Sequence, residues 1–261
     1  MAMLWRPVAY VHRFFRLTCA GPRCSNARFI RTRCGRRTCP DCRRLDYFRL
    51  RELYGPALDI LRAPKLLTLT LRNVSILSPE TVAHLRHCMK KLWKFYGPRI
   101  RGGIYAIEAV NTGRGWHVHA HALIDADYLD QAELSRVWLR ITGDSQIVDI
   151  RQAFSPQGAL TYILKYLAKA PDVPGGLLAT YETALKGIRL LHPFGCLHGW
   201  VMPRIARACR RCGATAWRLV SLWTEWPADQ VIEREPPPVQ GEPPPEHRRP
   251  GDFVLARWAR T

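Results

Sequence analysis

The segment IYAIEAVNTGRGWHVHAHALI, residues 104–124, decides the fold of this chain. Residues 104–110 and 116–124 are predicted to form two strands, and the glycine-rich residues 111–115 between them are typical of a hairpin turn. The sequence therefore predicts a β-hairpin near the middle of the chain, with further elements on both sides of it.

Regular elements are predicted both before and after this hairpin. Residues 65–72 alternate leucine with threonine, which predicts a strand with one leucine face. Ser78-Pro79-Glu80 supplies an N-cap, a first-turn proline and an early acid, and apolar residues at helical spacing extend this helix to Gly97. Downstream, the pattern predicts a helix over 130–141, a strand over 146–150 and a helix over 155–170.

This order, β-α-β-β-α-β-α, favours an α+β fold of the split β-α-β type, as in ferredoxin-like and RNA-recognition domains. We expect an antiparallel sheet with helices on one face and the other face free for a ligand. The predicted domains are a cysteine- and arginine-rich zinc module over 1–60, this central domain over 61–172, an irregular region with a Cys-x-x-Cys knuckle over 173–226, and a proline-rich, disordered tail over 227–261.

The composition points to a polyanionic partner. The 261 residues carry 40 Lys+Arg against 21 Asp+Glu, a formal charge of +19, which favours nucleic acid. No stretch approaches 18 uncharged apolar residues, and Arg6, His12 and Arg13 interrupt the N-terminal run, so we expect neither a membrane span nor a signal peptide, and a cytoplasmic location. The sequence has no Gly-x₄-Gly-Lys-Ser/Thr motif, so unwinding of a duplex would depend on another protein.

Three histidines alternate along the second hairpin strand. His117, His119 and His121 project from one face, because side chains alternate along a strand. Three histidines on one face are poorly suited to a hydrophobic core, so the pattern favours a metal site over a structural role. Glu108 falls opposite residue 118 or 119 across the turn, and its carboxylate could reach the same ion. Both Glu108 and His117 are candidates for the third ligand.

Two tyrosines share a face of the last predicted helix. Tyr162 and Tyr166 are four residues apart, with Lys165 and Lys169 beside them. Taken alone, such a pair is typical of core or interface packing. In a basic chain with a histidine metal site, however, a phenol can attack phosphorus when a metal polarises the phosphate and cations stabilise the developing charge.

The N-terminal cysteines indicate zinc. Nine cysteines is an odd number, and seven of them fall in two short clusters, which suits metal ligation better than disulfides. Cys39-Pro-Asp-Cys42 is a good zinc knuckle, and we predict that Cys19 and Cys24 complete its four ligands, with Cys34 as the spare thiol.

A second knuckle, Cys209-Arg-Arg-Cys212, is also a zinc candidate, with Cys196 and His198 as possible partners. A thioredoxin-like redox role for a Cys-x-x-Cys pair is disfavoured, because no β-α-β pattern surrounds it. Cys88 lies in a helical pattern and is predicted to be a small buried hydrophobe.

Three motifs together resemble the HUH endonucleases. His119-Ala120-His121, followed by hydrophobic residues, looks like the family's His-hydrophobe-His motif. The Tyr-x-x-Lys-Tyr-x-x-Lys stretch at 162–169 resembles its tyrosine motif, and residues 67–70 resemble its first motif. The three occur in the family's order and cover residues 65–170. The Cys-rich stretch at 34–42 is similar to those that precede the nuclease domain in many plasmid initiators and rolling-circle transposases.

The resemblance implies an HUH-superfamily rolling-circle replication initiator (Rep) of the two-tyrosine type. Such a protein nicks one DNA strand at an origin with Mg²⁺ or Mn²⁺, leaving a 5′-phosphotyrosine link and a free 3′-OH. Tyr166 would be the main nucleophile and Tyr162 the second tyrosine, assisted by Lys165. The metal ligands would be His119, His121 and either His117 or Glu108. Implied partners are single-stranded and duplex origin DNA and a host helicase and polymerase.

Three other functions compete with this interpretation. A two-tyrosine rolling-circle transposase would use the same chemistry. A non-catalytic zinc-finger DNA-binding regulator would use the histidines and tyrosines only for packing. A zinc hydrolase or deaminase is disfavoured, because the His-x-Glu sequence of that chemistry is absent. For any DNA-binding function, the cations predicted to contact phosphates are Arg31, Arg33, Arg36, Arg37, Arg43, Arg44 and Lys169.

Overall fold

Two antiparallel β-sheets form the framework of the protein, a mixed α+β chain. A computed structural model describes residues 13–111, 113–169, 171–201 and 208–223. These residues fall into two compact units, one of 13–36 with 208–223 and the other of 37–201. We call them the terminal unit and the central unit.

In chain order the elements are β1 (Phe14–Cys19), β2 (Ala27–Arg31), α1 (Pro40–Tyr54), β3 (Pro64–Thr70), α2 (Pro79–Tyr96), β4 (Ile100–Asn111), β5 (Trp116–Ala126), α3 (Gln131–Thr142), β6 (Val148–Gln152), α4 (Pro156–Ala168), α5 (Leu178–Ala184), β7 (His192–Gly195) and β8 (Trp217–Trp223). The terminal unit contains the sheet β2-β1-β8. The central unit contains the sheet β6-β3-β5-β4-β7, in which every neighbouring pair is antiparallel.

The predicted hairpin is confirmed and is longer than expected. Strands β4 and β5 pair from Ile100 to Asn111 and from Trp116 to Ala126. Gly113 and Gly115 both adopt positive φ, the conformation that a tight turn requires and that glycine adopts without steric cost. The Gly113 N–H also donates to the Asn111 side chain at 2.9 Å. This turn fixes the register of the two strands, and the register places the candidate site.

The three predicted helices of the central unit are confirmed, and each has a side-chain N-cap. Ser78 accepts a hydrogen bond from the Thr81 N–H at the start of α2, and Asp130 accepts one from the Glu133 N–H at the start of α3. Ser155 accepts one from the Gly158 N–H at the start of α4. These bonds satisfy N–H groups that the first helical turn leaves without partners, which explains why the boundaries were visible in the sequence.

The five-stranded sheet carries a hydrophobic core on each face. On one face, α2 and α3 contribute side chains such as Leu85 and Trp138, which pack in a cluster with Val118 and Ala120 of β5. The other cluster contains Leu123 of β5 together with side chains of α1 and α4: Leu50, Tyr54, Leu160, Ile163, Leu164 and Leu167. The expectation that all helices lie on one face is therefore wrong, because α1 and α4 cover part of the face that carries the histidines.

The unit boundaries differ from the predicted domains. Helix α1 falls within the predicted module 1–60, yet Leu50 and Tyr54 are buried in the central unit's core. The region after Pro171, expected to be irregular, contains α5 and β7, and β7 pairs with β4. Strand β8 pairs with β1 and so belongs with the N-terminal strands. The predicted tail, 227–261, lies outside the described residues. Within the described ranges, no helix has both the length and the apolar character needed to cross a membrane.

Candidate active site

Three potential ligands converge on the histidine face of the central sheet. The β4–β5 register sets Glu108 directly opposite His119, and His121 lies two residues further along the same face. The Glu108 Oε2 is 2.7 Å from His119 Nε2 and 3.4 Å from His121 Nε2. The three ligand atoms lie within 4.8 Å of one another, so this group could hold a metal ion.

The charge state of this group suits a cation. Burial alone would raise the pKa of Glu108, but the neighbouring imidazoles of His119 and His121 outweigh it and lower the pKa to about 2. Burial lowers the pKa of His121, in spite of the opposing effect of Glu108. At neutral pH the group therefore offers a carboxylate and a neutral imidazole, the forms in which these side chains bind metals.

The hydrogen bonding of the histidines leaves ring nitrogens that could bind a metal ion. Among the described residues, His121 Nε2 and His119 Nδ1 are buried with no hydrogen-bond partner. The other ring nitrogen of His121, Nδ1, lies 3.1 Å from the Thr68 hydroxyl on β3. If Nδ1 carries the proton and donates it to that hydroxyl, Nε2 keeps its lone pair for a metal ion. The residues present therefore fit a bound divalent cation.

His117, the other predicted ligand, lies outside this group of three. Its ring centroid is 4.9 Å from that of His119, on the same face of β5. Of the two candidates for the third ligand, the structure brings Glu108 to the group.

Thr68 is a further residue of the site, and in the sequence it stands out only as part of the motif at 67–70. Its contact with His121 depends on the pairing of β3 with β5, for which the sequence carries no local pattern.

The two tyrosines lie against the same group. The Tyr166 ring stacks on the His121 ring with centroids 4.1 Å apart and planes 10° apart. Its hydroxyl donates to the Tyr162 hydroxyl at 2.7 Å. Burial raises the pKa of Tyr166, and the hydrogen bond to Tyr162 and the negative charge of Glu108 raise it further. A phenol and a metal-binding group thus share one site, and the phenol is protonated until a cation or base assists its ionisation.

Two of the predicted DNA-binding arginines have structural roles. Arg43 is buried and donates to the Lys169 carbonyl just after α4, where a cation complements the helix dipole. The Arg37 guanidinium donates to the carbonyls of three residues after α5, namely Leu185, Ile188 and Arg189. The fold therefore uses hydrogen bonds of both side chains internally.

The remaining predicted cations are more accessible. Arg33, Arg36 and Arg44 are exposed, as are Lys165 and Lys169, whereas Arg31 is half-buried in β2. The exposed side chains add positive charge to the surface of the protein.

The cysteines group differently from the predicted set of Cys19, Cys24, Cys39 and Cys42. Cys19 and Cys24 join Cys209 and Cys212, because antiparallel pairing of β8 with β1 brings the 209–212 knuckle beside the end of β1. This group of four could hold a metal ion. Cys34, predicted to be spare, lies in the terminal unit, whereas Cys39 and Cys42 lie in the central unit. Among the described residues neither Cys196 nor His198 joins such a group, and the Cys196 N–H donates to the Arg101 carbonyl. The burial of Cys88 is confirmed.

In the group of Cys19, Cys24, Cys209 and Cys212, the pKa values of two thiols are shifted in opposite directions. A hydrogen bond from the Asn26 side chain is the main cause that lowers the pKa of Cys209, to about 6. For Cys19, a hydrogen bond from the Gly21 N–H lowers the pKa, but burial and the neighbouring thiols raise it to about 12. Four adjacent thiols therefore resist losing all their protons unless a cation compensates the charge.

A scan of the chain against protein-family models finds no match, and searches of curated proteins and of solved structures find none either.

Proposed function

We propose that this protein is a metal-dependent endonuclease and strand transferase with a tyrosine nucleophile, acting as a rolling-circle DNA replication initiator. One observation carries the proposal: the Tyr166 ring stacks on His121, whose Nε2 faces the Glu108 carboxylate. A candidate nucleophile therefore lies beside a candidate metal centre in a chain of net charge +19. That combination suits attack on a phosphodiester.

In the proposed reaction, the Tyr166 oxygen attacks phosphorus and loses its proton. The bond from phosphorus to the 3′ oxygen breaks, and that oxygen leaves as a 3′-OH, while the phosphate stays linked to the tyrosine and the 5′ carbon. Glu108, His119 and His121 would hold Mg²⁺ or Mn²⁺, which would supply stabilisation of charge on the phosphate oxygens. Tyr162 accepts the Tyr166 hydrogen bond and would serve as the second nucleophile for strand transfer. Lys165, exposed beside Tyr166 in α4, adds positive charge.

The strand order supports the same proposal. In the order β6-β3-β5-β4, α2 connects β3 to β4 and α3 connects β5 to β6, which is the connectivity expected of a split β-α-β sheet. Under this proposal the partners are single-stranded and duplex origin DNA, with a host helicase to unwind and a polymerase to extend the 3′-OH. Cysteine ligands would hold structural Zn²⁺.

Covalent attachment to DNA tests the proposal directly. The protein is incubated with Mn²⁺ or Mg²⁺ and labelled single-stranded oligonucleotides that tile the replicon encoding it, and adducts are resolved on a denaturing gel. We expect an adduct with one oligonucleotide, abolished by chelator and by Tyr166→Phe. Tyr128→Phe, at an exposed tyrosine before α3, is the matched control and should behave as wild type.

Two outcomes would contradict the proposal or its assignments. If no tiled oligonucleotide forms an adduct while duplex DNA is still bound, the protein is a non-catalytic DNA-binding regulator. If Tyr162→Phe abolishes the adduct and Tyr166→Phe does not, the roles of the two tyrosines are reversed.

A further inference from the structure

Few of the described side chains of the terminal unit are buried. Among the side chains that the structure describes in residues 13–36 and 208–223, only those of Cys19 and Cys209 are buried. Apolar side chains on its strands, such as Ile30 and Leu219, are exposed. Most described side chains of these three short strands are half-buried or exposed, so burial of the described residues contributes little and a further interaction would stabilise this sheet.

The four cysteines of this unit have the spacing of a tetrahedral metal site. Sulfur–sulfur distances are 3.4 Å for Cys19 and Cys212 and 3.8 Å for Cys24 and Cys209, and all four sulfurs lie within 4.8 Å of one another. A disulfide would need about 2.05 Å. Four sulfurs at about 2.3 Å from a tetrahedral zinc ion are about 3.8 Å apart.

The surrounding backbone is shaped to this group. The Gly21 N–H donates to the Cys19 sulfur and the Asn26 side-chain N–H donates to the Cys209 sulfur, both at 3.3 Å. Such bonds stabilise thiolates. A Cβ at Gly21 would lie 2.8 Å from the Cys212 sulfur, so glycine lets the 19–24 segment approach the 209–212 knuckle this closely.

We infer that Cys19, Cys24, Cys209 and Cys212 bind one structural zinc ion, and that this ion holds β8 against β1 in place of a hydrophobic core. Four thiolates complete a tetrahedral shell and leave no position for substrate, which distinguishes a structural from a catalytic zinc site. The ion joins residues that are 193 positions apart in the chain, Cys19 and Cys212. This inference does not depend on the proposed nuclease activity.

Zinc stoichiometry in the full-length protein tests whether one ion is shared by the Cys19/Cys24 pair and the Cys209/Cys212 pair. We compare Cys19→Ser/Cys24→Ser, Cys209→Ser/Cys212→Ser and the quadruple variant by elemental analysis. Each double variant should lose one zinc ion per chain, and the quadruple variant should lose the same single ion. Cys196→Ser, at an exposed cysteine of the central unit, is the control and should lose none. The inference would be overturned if the quadruple variant lost two ions or if neither double variant lost one. Iron in place of zinc would also overturn it.

A second measurement keeps all four thiols and so avoids variants that fail to fold. Gly21→Ala should release zinc to a chelator faster than wild type. In the wild type, metal removal should increase amide hydrogen exchange in β1 and β8 and leave β4 and β5 protected. Unchanged exchange in β1 and β8 after zinc removal would show that the ion does not hold this sheet. Neither readout uses DNA, so failure of this inference can be distinguished from failure of the proposed function.

Discussion

The five-stranded sheet of the central unit has apolar clusters on both faces, whereas Cys19 is the only buried side chain that the structure describes on the three strands of the terminal unit. Both sheets nevertheless carry a group that could hold a metal ion. In the terminal unit, Cys19 and Cys209 of the four-thiol group are the only buried side chains that the structure describes. In the central unit, Glu108, His119 and His121 lie on a sheet that has apolar clusters on both faces. Under the two proposals above, the thiol group stabilises its unit and the histidine group serves the reaction.

The largest expected effect that distinguishes the two roles is loss of the DNA adduct when the candidate metal ligands of the central unit are removed. Replacing His119 and His121 with alanine should abolish the DNA adduct completely, because two of three ligands are removed. The central unit should still unfold cooperatively on heating, because neither apolar cluster contains these side chains.

The matched comparison is the cysteine double variant Cys209→Ser/Cys212→Ser, which should lose exchange protection in β1 and β8. If the histidine variant instead loses protection throughout the central sheet, its metal is structural as well, and the contrast between the two units fails.

Removal of a core side chain should have the next largest effect, and only on the central unit. Trp138 is fully buried between α3 and the sheet, and its indole N–H donates to the Thr70 carbonyl at 2.8 Å. Trp138→Ala should lower the free energy of unfolding by about 3–5 kcal/mol, measured by denaturant titration, without changing the zinc content. Ile147→Ala, at an exposed position near the same sheet, should change it by less than about 0.5 kcal/mol.

A smaller effect is expected from Thr68, whose hydroxyl would position His121 without itself contacting a metal ion. Thr68→Val removes the hydroxyl 3.1 Å from His121 Nδ1 and should weaken Mn²⁺ binding at this centre by about 10–100-fold. Thr68→Ser keeps the hydroxyl and should restore most of the affinity. Calorimetric titration of zinc-loaded protein with Mn²⁺ measures both variants. Equal affinity in Thr68→Val and wild type would remove Thr68 from the site.

The parts that could be predicted from sequence are those fixed by local patterns. The hairpin turn at residues 111–115 and the caps Ser78, Asp130 and Ser155 set the element boundaries. The hairpin register placed Glu108 within one residue of its partner, because few residues separate the two strands. A candidate site built on one hairpin and one helix was therefore accessible to sequence reasoning.

What sequence reasoning missed depends on distant segments that meet only in the fold. Cys19 and Cys212 are brought together by β1–β8 pairing, and no spacing rule connects thiols so far apart. Helix α1 was assigned to the zinc module because residues 1–55 combine 13 arginines and five cysteines with little apolar periodicity, although Leu50 and Tyr54 are buried in the central core. Arg37 and Arg43 were assigned to DNA on charge alone, since the carbonyls that they bind lie more than a hundred residues away.

The smallest effect concerns the pH dependence of the central unit. His192 on β7 is buried and stacks on Tyr105 with ring centroids 4.7 Å apart. Burial, followed by the positive charges of Arg86 and Arg37, lowers the pKa of His192 to about 4, against about 6.5 in an unfolded chain. Between these values the unfolded state binds more protons than the folded state, so stability should fall as the pH decreases from about 6.5 to about 4. His192→Phe keeps an aromatic ring against Tyr105 but cannot titrate, and it should flatten this part of the stability profile. Comparing denaturant midpoints of the two proteins at several pH values in this window measures the difference. Parallel profiles would show that His192 does not contribute, and that acid acts on the central unit through its metal ligands or other groups.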